Sequence, residues 1–164
     1  MARGWWSAKI RRTWAYFHAN VTDDERLRLD GWLTPEQTAL FDRMAPADRR
    51  HGLDVVADLR RRGVGDNDLL TAGLLHDCGK GRRVRLVHRV AWSLGGRYGN
   101  WILRAVGRLP SFRVGLGALR DHARRSAELA AAAGCTERTV ALILNQEAPT
   151  DHAGRQLLAA DESN

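Results

Sequence analysis

Several things are scarce in this chain of 164 residues. It has two cysteines, Cys78 and Cys135, which excludes a disulfide framework and the paired spacing of a zinc finger. Both read as reduced thiols, so the expected compartment is the cytoplasm. No apolar run approaches the roughly 18 residues that a membrane-crossing helix needs. The first residues, MARGWWSAKIRR, lack the unbroken apolar stretch of a secretory signal. β-Branched residues are sparse and strand-type alternation is missing, which argues against a sheet. Prolines number four, and lysine occurs twice, at Lys9 and Lys80, among 26 basic residues.

Acid is missing where it matters most. Between Cys78 and Arg120 there are ten basic residues and no aspartate or glutamate. The formal charge is +7, yet outside this segment 19 acidic residues outnumber the other basic ones. Such asymmetry points to an anionic partner: a phosphorylated small molecule, nucleic acid or an acidic lipid surface.

What is present is helical periodicity, and the expected class is all-α, a single domain of about seven to nine helices with an arginine-rich helical insertion. Residues 1–33 read as a basic and aromatic extension (Trp5, Trp6, Trp14, Trp32), one or two helices that dock on the domain formed by residues 34–164. Thr34-Pro35-Glu36-Gln37 starts a helix with a hydroxyl cap, proline at the first position and glutamine at the capping-box position. Further helices are expected from about Ala47 to Arg62, and from a cap at Asp66 or Asn67 to Gly79. Weaker ones follow near Arg85–Leu94 and Trp101–Leu109, split by Gly95-Gly96. Pro110, Gly115 and Gly117 predict irregular chain after that. Helices from Leu119 to Ala133, from Thr136 to about Glu147, and from Pro149-Thr150 to the end complete the pattern.

Two histidines fall on apolar helix faces. His76 shares a face with Leu69 and Ala72, and His51 shares one with Val55 and Leu59. A short connection from Gly63 to Asp66 makes the two helices an antiparallel hairpin, so the start of one meets the end of the other and the imidazoles converge. Asp77 follows His76, turned about 100° away, and is expected at the rim of the same pocket. The dipeptide alone says little, since about half a His-Asp pair is expected by chance in a chain of this composition. Asp161 lies beside Leu157 and Leu158 in the last turn of the final helix, where the macrodipole disfavours a carboxylate by roughly 0.3–1 kcal/mol and a cation would offset that. Two neutral imidazoles and two carboxylates suit a divalent metal ion.

His51, His76-Asp77 and Asp161, with their contexts Asp48-Arg49-Arg50-His51-Gly52, Leu74-Leu75-His76-Asp77-Cys78-Gly79-Lys80 and Leu157-Leu158-Ala159-Ala160-Asp161, resemble the H…HD…D signature of the HD-domain superfamily of metal-dependent phosphohydrolases. The resemblance runs from about Phe41 to Asn164 and is nearest to compact bacterial members. It implies hydrolysis of a phosphomonoester, phosphodiester or phosphoanhydride, on a nucleotide-like substrate, by metal-activated water. His51, His76, Asp77 and Asp161 become metal ligands, and Asp77 also orients the attacking water. Lys80 completes a pattern similar to the HDxGK variant and could stabilise charge on a phosphoryl group.

His122 corresponds to a histidine that opens a later helix and touches substrate phosphate or a second metal; Arg50 is a further candidate phosphate contact. Where dinuclear relatives carry another histidine, this chain reads Leu144-Asn145-Gln146-Glu147. Amides are poor ligands for a transition metal, so one divalent ion (Mn, Fe, Co, Ni, Zn or Mg) is expected. Two alternatives stand beside catalysis: a regulatory module binding nucleotide or metal without turnover, and binding of an anionic polymer or acidic lipid through Arg82–Arg120. Nucleic acid is the less favoured partner, because Trp92, Tyr98 and Trp101 are few for base stacking.

Overall fold

Local capping chemistry sets most of the element boundaries. Thr22 and Thr34 each close a capping box, with Glu25 and Gln37, and start α1 (Asp23–Asp30) and α2 (Pro35–Arg43). Pro46 occupies the first turn of α3 (Pro46–Arg61), and Gly63, at φ +84°, turns the chain back. Asp66 then accepts from the backbone N–H of Asp68 and Leu69 to start α4 (Asn67–Leu75). A 3₁₀ turn, Cys78–Lys80, follows. The remaining helices are α5 (Leu86–Tyr98), α6 (Trp101–Val106), α7 (Pro110–Arg120), α8 (His122–Ala132), α9 (Glu137–Leu144) and α10 (His152–Ser163). This is a computed structural model describing residues 21–81, 86–99 and 101–164. Among the described residues it is all helical, with no strand, and no helix is long and apolar enough to cross a membrane.

The hub is α4. Every residue from Leu69 to Gly79 is buried, as a helix apolar all round requires. Around it pack α3, α9, α10 and α2, while α8 lies against α9 and the 3₁₀ turn. Phe41, Val55, Leu59, Leu74, Leu75, Ile143 and Leu157 form the main core. Leu29 and Leu33 join that same core, so α1 and the chain after it dock on the helices of the 34–164 region. Residues 1–20, with Trp5, Trp6 and Trp14, lie outside the described residues, as do Arg82, Arg83 and Arg85.

Among the described residues there are ten helices beside the about seven to nine expected, and several boundaries differ because of contacts that periodicity does not carry. The chain expected to be irregular, from Pro110 on, is helix α7: Pro110 serves at its first turn, and Gly115 is needed where the ring of His88 presses against the backbone. Gly95 does not split α5, because it seats the Leu103 side chain of α6. α4 stops at Leu75 rather than Gly79, since the Gly79 N–H donates to Ser126 Oγ at 2.8 Å instead of back along the helix. α9 ends at Leu144, not Glu147, and the last helix starts at His152 rather than Pro149-Thr150, capped by Asp151 through the N–H of Gly154.

Candidate metal centre

The hairpin α3–α4 brings His51 to His76. Gly52, one residue beyond His51, touches the backbone of α4: a Cβ there would lie 2.5 Å from the carbonyl oxygen of Leu74. Only a residue without a side chain allows the helices to approach so closely. The two imidazoles consequently sit edge to face, 5.2 Å apart between centroids with 64° between planes.

Asp161 arrives from α10, which packs on both α3 and α4. Its helix end is pinned by the buried Asp58 of α3, which accepts from Arg62 at 2.7 Å and from Ser163 Oγ at 3.2 Å. The Arg62 guanidinium also reaches the Ala159 carbonyl at 3.4 Å. Asp161 Oδ1 thereby lies 2.7 Å from His51 Nε2 and 3.5 Å from His76 Nε2. His51, His76 and Asp161 offer three ligand atoms within 4.8 Å of one another, a group that could hold a metal ion. The centre is open on one side: the Asp161 side chain is 38% exposed, while that of His76 is 2% exposed at the floor.

Hydrogen bonds aim the buried rings. His76 Nδ1 donates to the Gly73 carbonyl at 2.9 Å, which leaves Nε2 facing the carboxylates, and His122 Nδ1 donates in the same way to Leu119 at 2.6 Å. An Nδ1–H committed to a backbone carbonyl fixes the tautomer in which Nε2 can ligate. The buried amide of Gln146 donates to the His76 carbonyl at 3.2 Å, holding the end of α4. Burial opposes a charge on His76, but Asp77 and Asp161 outweigh it and raise its pKa to about 9. Burial likewise opposes ionisation of Asp161, and the hydrogen bonds of His51 and His76 overcome it, holding the carboxyl well below the usual range.

Asp77 occupies a different place from the rim position expected. It is 1% exposed and lies under His76, its Oδ2 being 3.5 Å from Nε2. Lys80 pairs with that same oxygen, bent back by the 3₁₀ turn three residues on. Asp77 therefore stands beside the three-donor group and outside it. Burial raises its pKa, yet His76, Lys80 and His51 together carry it far below the ordinary carboxylate value. Asp77 Oδ1 is buried with no hydrogen-bond partner, and His122 Nε2 lies 3.7 Å from it. A buried, ionised oxygen without a partner is costly, and a cation beside it would remove the cost. On this count the donor set fits a metal ion, and its nitrogen and carboxylate chemistry suits a divalent one.

His122, the first residue of α8, is brought to the centre. Arg50 is not aimed into it: Glu25 at 2.7 Å and Asp54 at 2.9 Å hold its guanidinium. Cys78 is buried and its thiol, pushed up to about 12 by burial, is no nucleophile. Sequence reasoning overlooked several supports. A Cβ on Gly79 would meet the backbone N of Ser126 and lie 2.6 Å from the His122 carbonyl, so this glycine sets the approach of α8. Ser126, Gln146 and the Asp58–Arg62 pair were equally unsignalled, although the glycine after His51 and the one before Lys80 were visible hints. A groove of about 490 Å³ lies at the opposite ends of α3 and α4, lined by Arg62, Asp66, Arg138, Asp151 and His152. It is remote from the donors, and Arg138 in it is paired with Asp66 at 2.6 Å. Comparison of the chain with protein-family models, curated proteins and solved structures gives no match.

Proposed function

We propose that the chain is a metal-dependent phosphohydrolase of the HD-domain type, using one divalent ion to hydrolyse a phosphorylated, nucleotide-like small molecule. The observation that carries this reading is the convergence of His51, His76 and Asp161 within 4.8 Å, above a buried Asp77 Oδ1 that lacks a partner. His51, His76 and Asp161 would hold the ion, with Asp77 Oδ1 as a further donor. A bound divalent cation lowers the pKa of water and draws charge from phosphoryl oxygens.

The chain's own groups divide the rest of the work. Lys80 holds Asp77 Oδ2, which leaves Oδ1 to face the ion and orient its water. The Lys80 ammonium adds positive charge where a phosphoryl group gains negative charge. His122, with Nδ1 committed to Leu119, presents Nε2 to a substrate oxygen. Arg50 belongs to the scaffold in this scheme rather than to the substrate site. The exposed sides of His51 and Asp161 provide the entry for substrate and water.

The test is elemental analysis of the purified full chain, followed by a phosphoester panel with the bound metal restored. The expected result is a transition metal in the protein, turnover of an activated phosphodiester, and loss of both metal and turnover in His51→Ala. Asp77→Asn, close in volume, should lose turnover while keeping a native circular dichroism spectrum. Absence of metal contradicts the proposal. Metal retained without turnover across the panel supports the non-catalytic module instead.

A further inference from the structure

The arginine-rich segment has a surface that the metal chemistry does not use. On α5, His88, Ala91 and Gly95 face the interior and pack against α7 and α6. Val87, Leu94 and Tyr98 recur at i, i+7 and i+11 along one flank of that face; Val87 is 53% and Tyr98 52% exposed. Arg97 lies just outward of this line, its guanidinium 5.8 Å from the Tyr98 ring.

The indole N–H of Trp101 donates to the Tyr98 carbonyl at 3.2 Å, so α6 begins where the stripe ends. Leu103 turns inward against Gly95, which directs Trp101, Arg104 and Ala105 outward on the opposite side of α6. Trp101 is 66% exposed, and α6 buries none of its residues. Exposed aromatic and aliphatic side chains thus alternate with arginines, in a stretch without any acid.

We infer that the α5–α6 hairpin is a docking surface for an anionic lipid bilayer, in which Val87, Tyr98 and Trp101 enter the headgroup boundary while Arg97 and Arg104 meet lipid phosphates. Trp and Tyr prefer that boundary, and arginines beside apolar stems suit it. Charge complementarity selects this occupant. A second copy docking through the same hairpin would set two acid-free cationic surfaces against each other. Nucleic acid would use the arginines but leave Val87 and Leu94 without stacking partners. The rest of the molecule has more acidic than basic residues, so an anionic surface would repel it and orient the hairpin inward.

The experiment is co-sedimentation of the full chain with phosphatidylcholine vesicles, with and without phosphatidylglycerol, alongside a single-stranded oligonucleotide. Partition onto the anionic vesicles is expected, with little onto pure phosphatidylcholine, and loss at high salt. Arg97→Gln and Arg104→Gln should each weaken it about fivefold, and Trp101→Ser should weaken it at unchanged charge. These positions are exposed, so the variants should keep the parent's melting temperature and metal content. Equal partition onto neutral vesicles, no partition onto anionic ones, or affinity for the oligonucleotide above that for the vesicles would each overturn the inference. Insensitivity of vesicle binding to Trp101→Ser would do the same.

Discussion

From Leu69 to Gly79 every residue is buried, whereas from Trp101 to Val106 none is. The first stretch carries the floor of the candidate metal centre, the second the tip of the arginine-rich hairpin. Glycine shows the difference well. At Gly79 an added methyl would press on the Ser126 backbone, while at Gly96, in the α5 arm of that hairpin, it would meet nothing within 4 Å. Packing fixes the first region closely around His76, whose Nε2 faces Asp161 at 3.5 Å. The second is specified by charge and exposure, which tolerate substitution far better.

That contrast can be broken by mutation. The largest effect is expected for Gly79→Ala, where the obstructing atoms are backbone and cannot rotate away. A loss of about 1–3 kcal/mol is expected from overpacking, read as a lower denaturation midpoint. Ser126→Ala comes next. Ser126 is wholly buried and its Oγ accepts the Gly79 N–H at 2.8 Å, so removing it strands a buried donor at about 1–2 kcal/mol. Gly96→Ala should have the opposite sign and raise stability by about 0.5–1 kcal/mol through helix propensity. Equal losses at Gly79 and Gly96 would erase the distinction between the regions.

The sequence made much of this legible and left some of it hidden, along a line set by locality. The Thr34 and Asp66 caps, and the burial of His76 on an apolar face, depend on residues within two turns, and the structure has them as expected, whereas His51 is only half-buried. The hairpin geometry brought the two imidazoles together, whereas Asp161 was joined to them by its place beside buried leucines and by the resemblance to the H…HD…D signature. Hidden were features that need a distant partner. The need for glycine at 52 and 79 arises from Leu74 and from Ser126 and His122, and the helix through Gly115 depends on His88. Asp77 was expected at the rim because helical angle places it there. The chain instead leaves the α-helix at His76, and the 3₁₀ turn brings Lys80 back under the carboxylate.

Calorimetric titration of the chelator-treated full chain with a divalent transition metal tests the central claim most directly. The parent should bind one ion per chain, and His76→Ala and Asp161→Asn should each lose at least about a hundredfold in affinity, more than removal of an outer-shell support costs. Parent-like affinity in either variant, or no binding by the parent, would contradict the account.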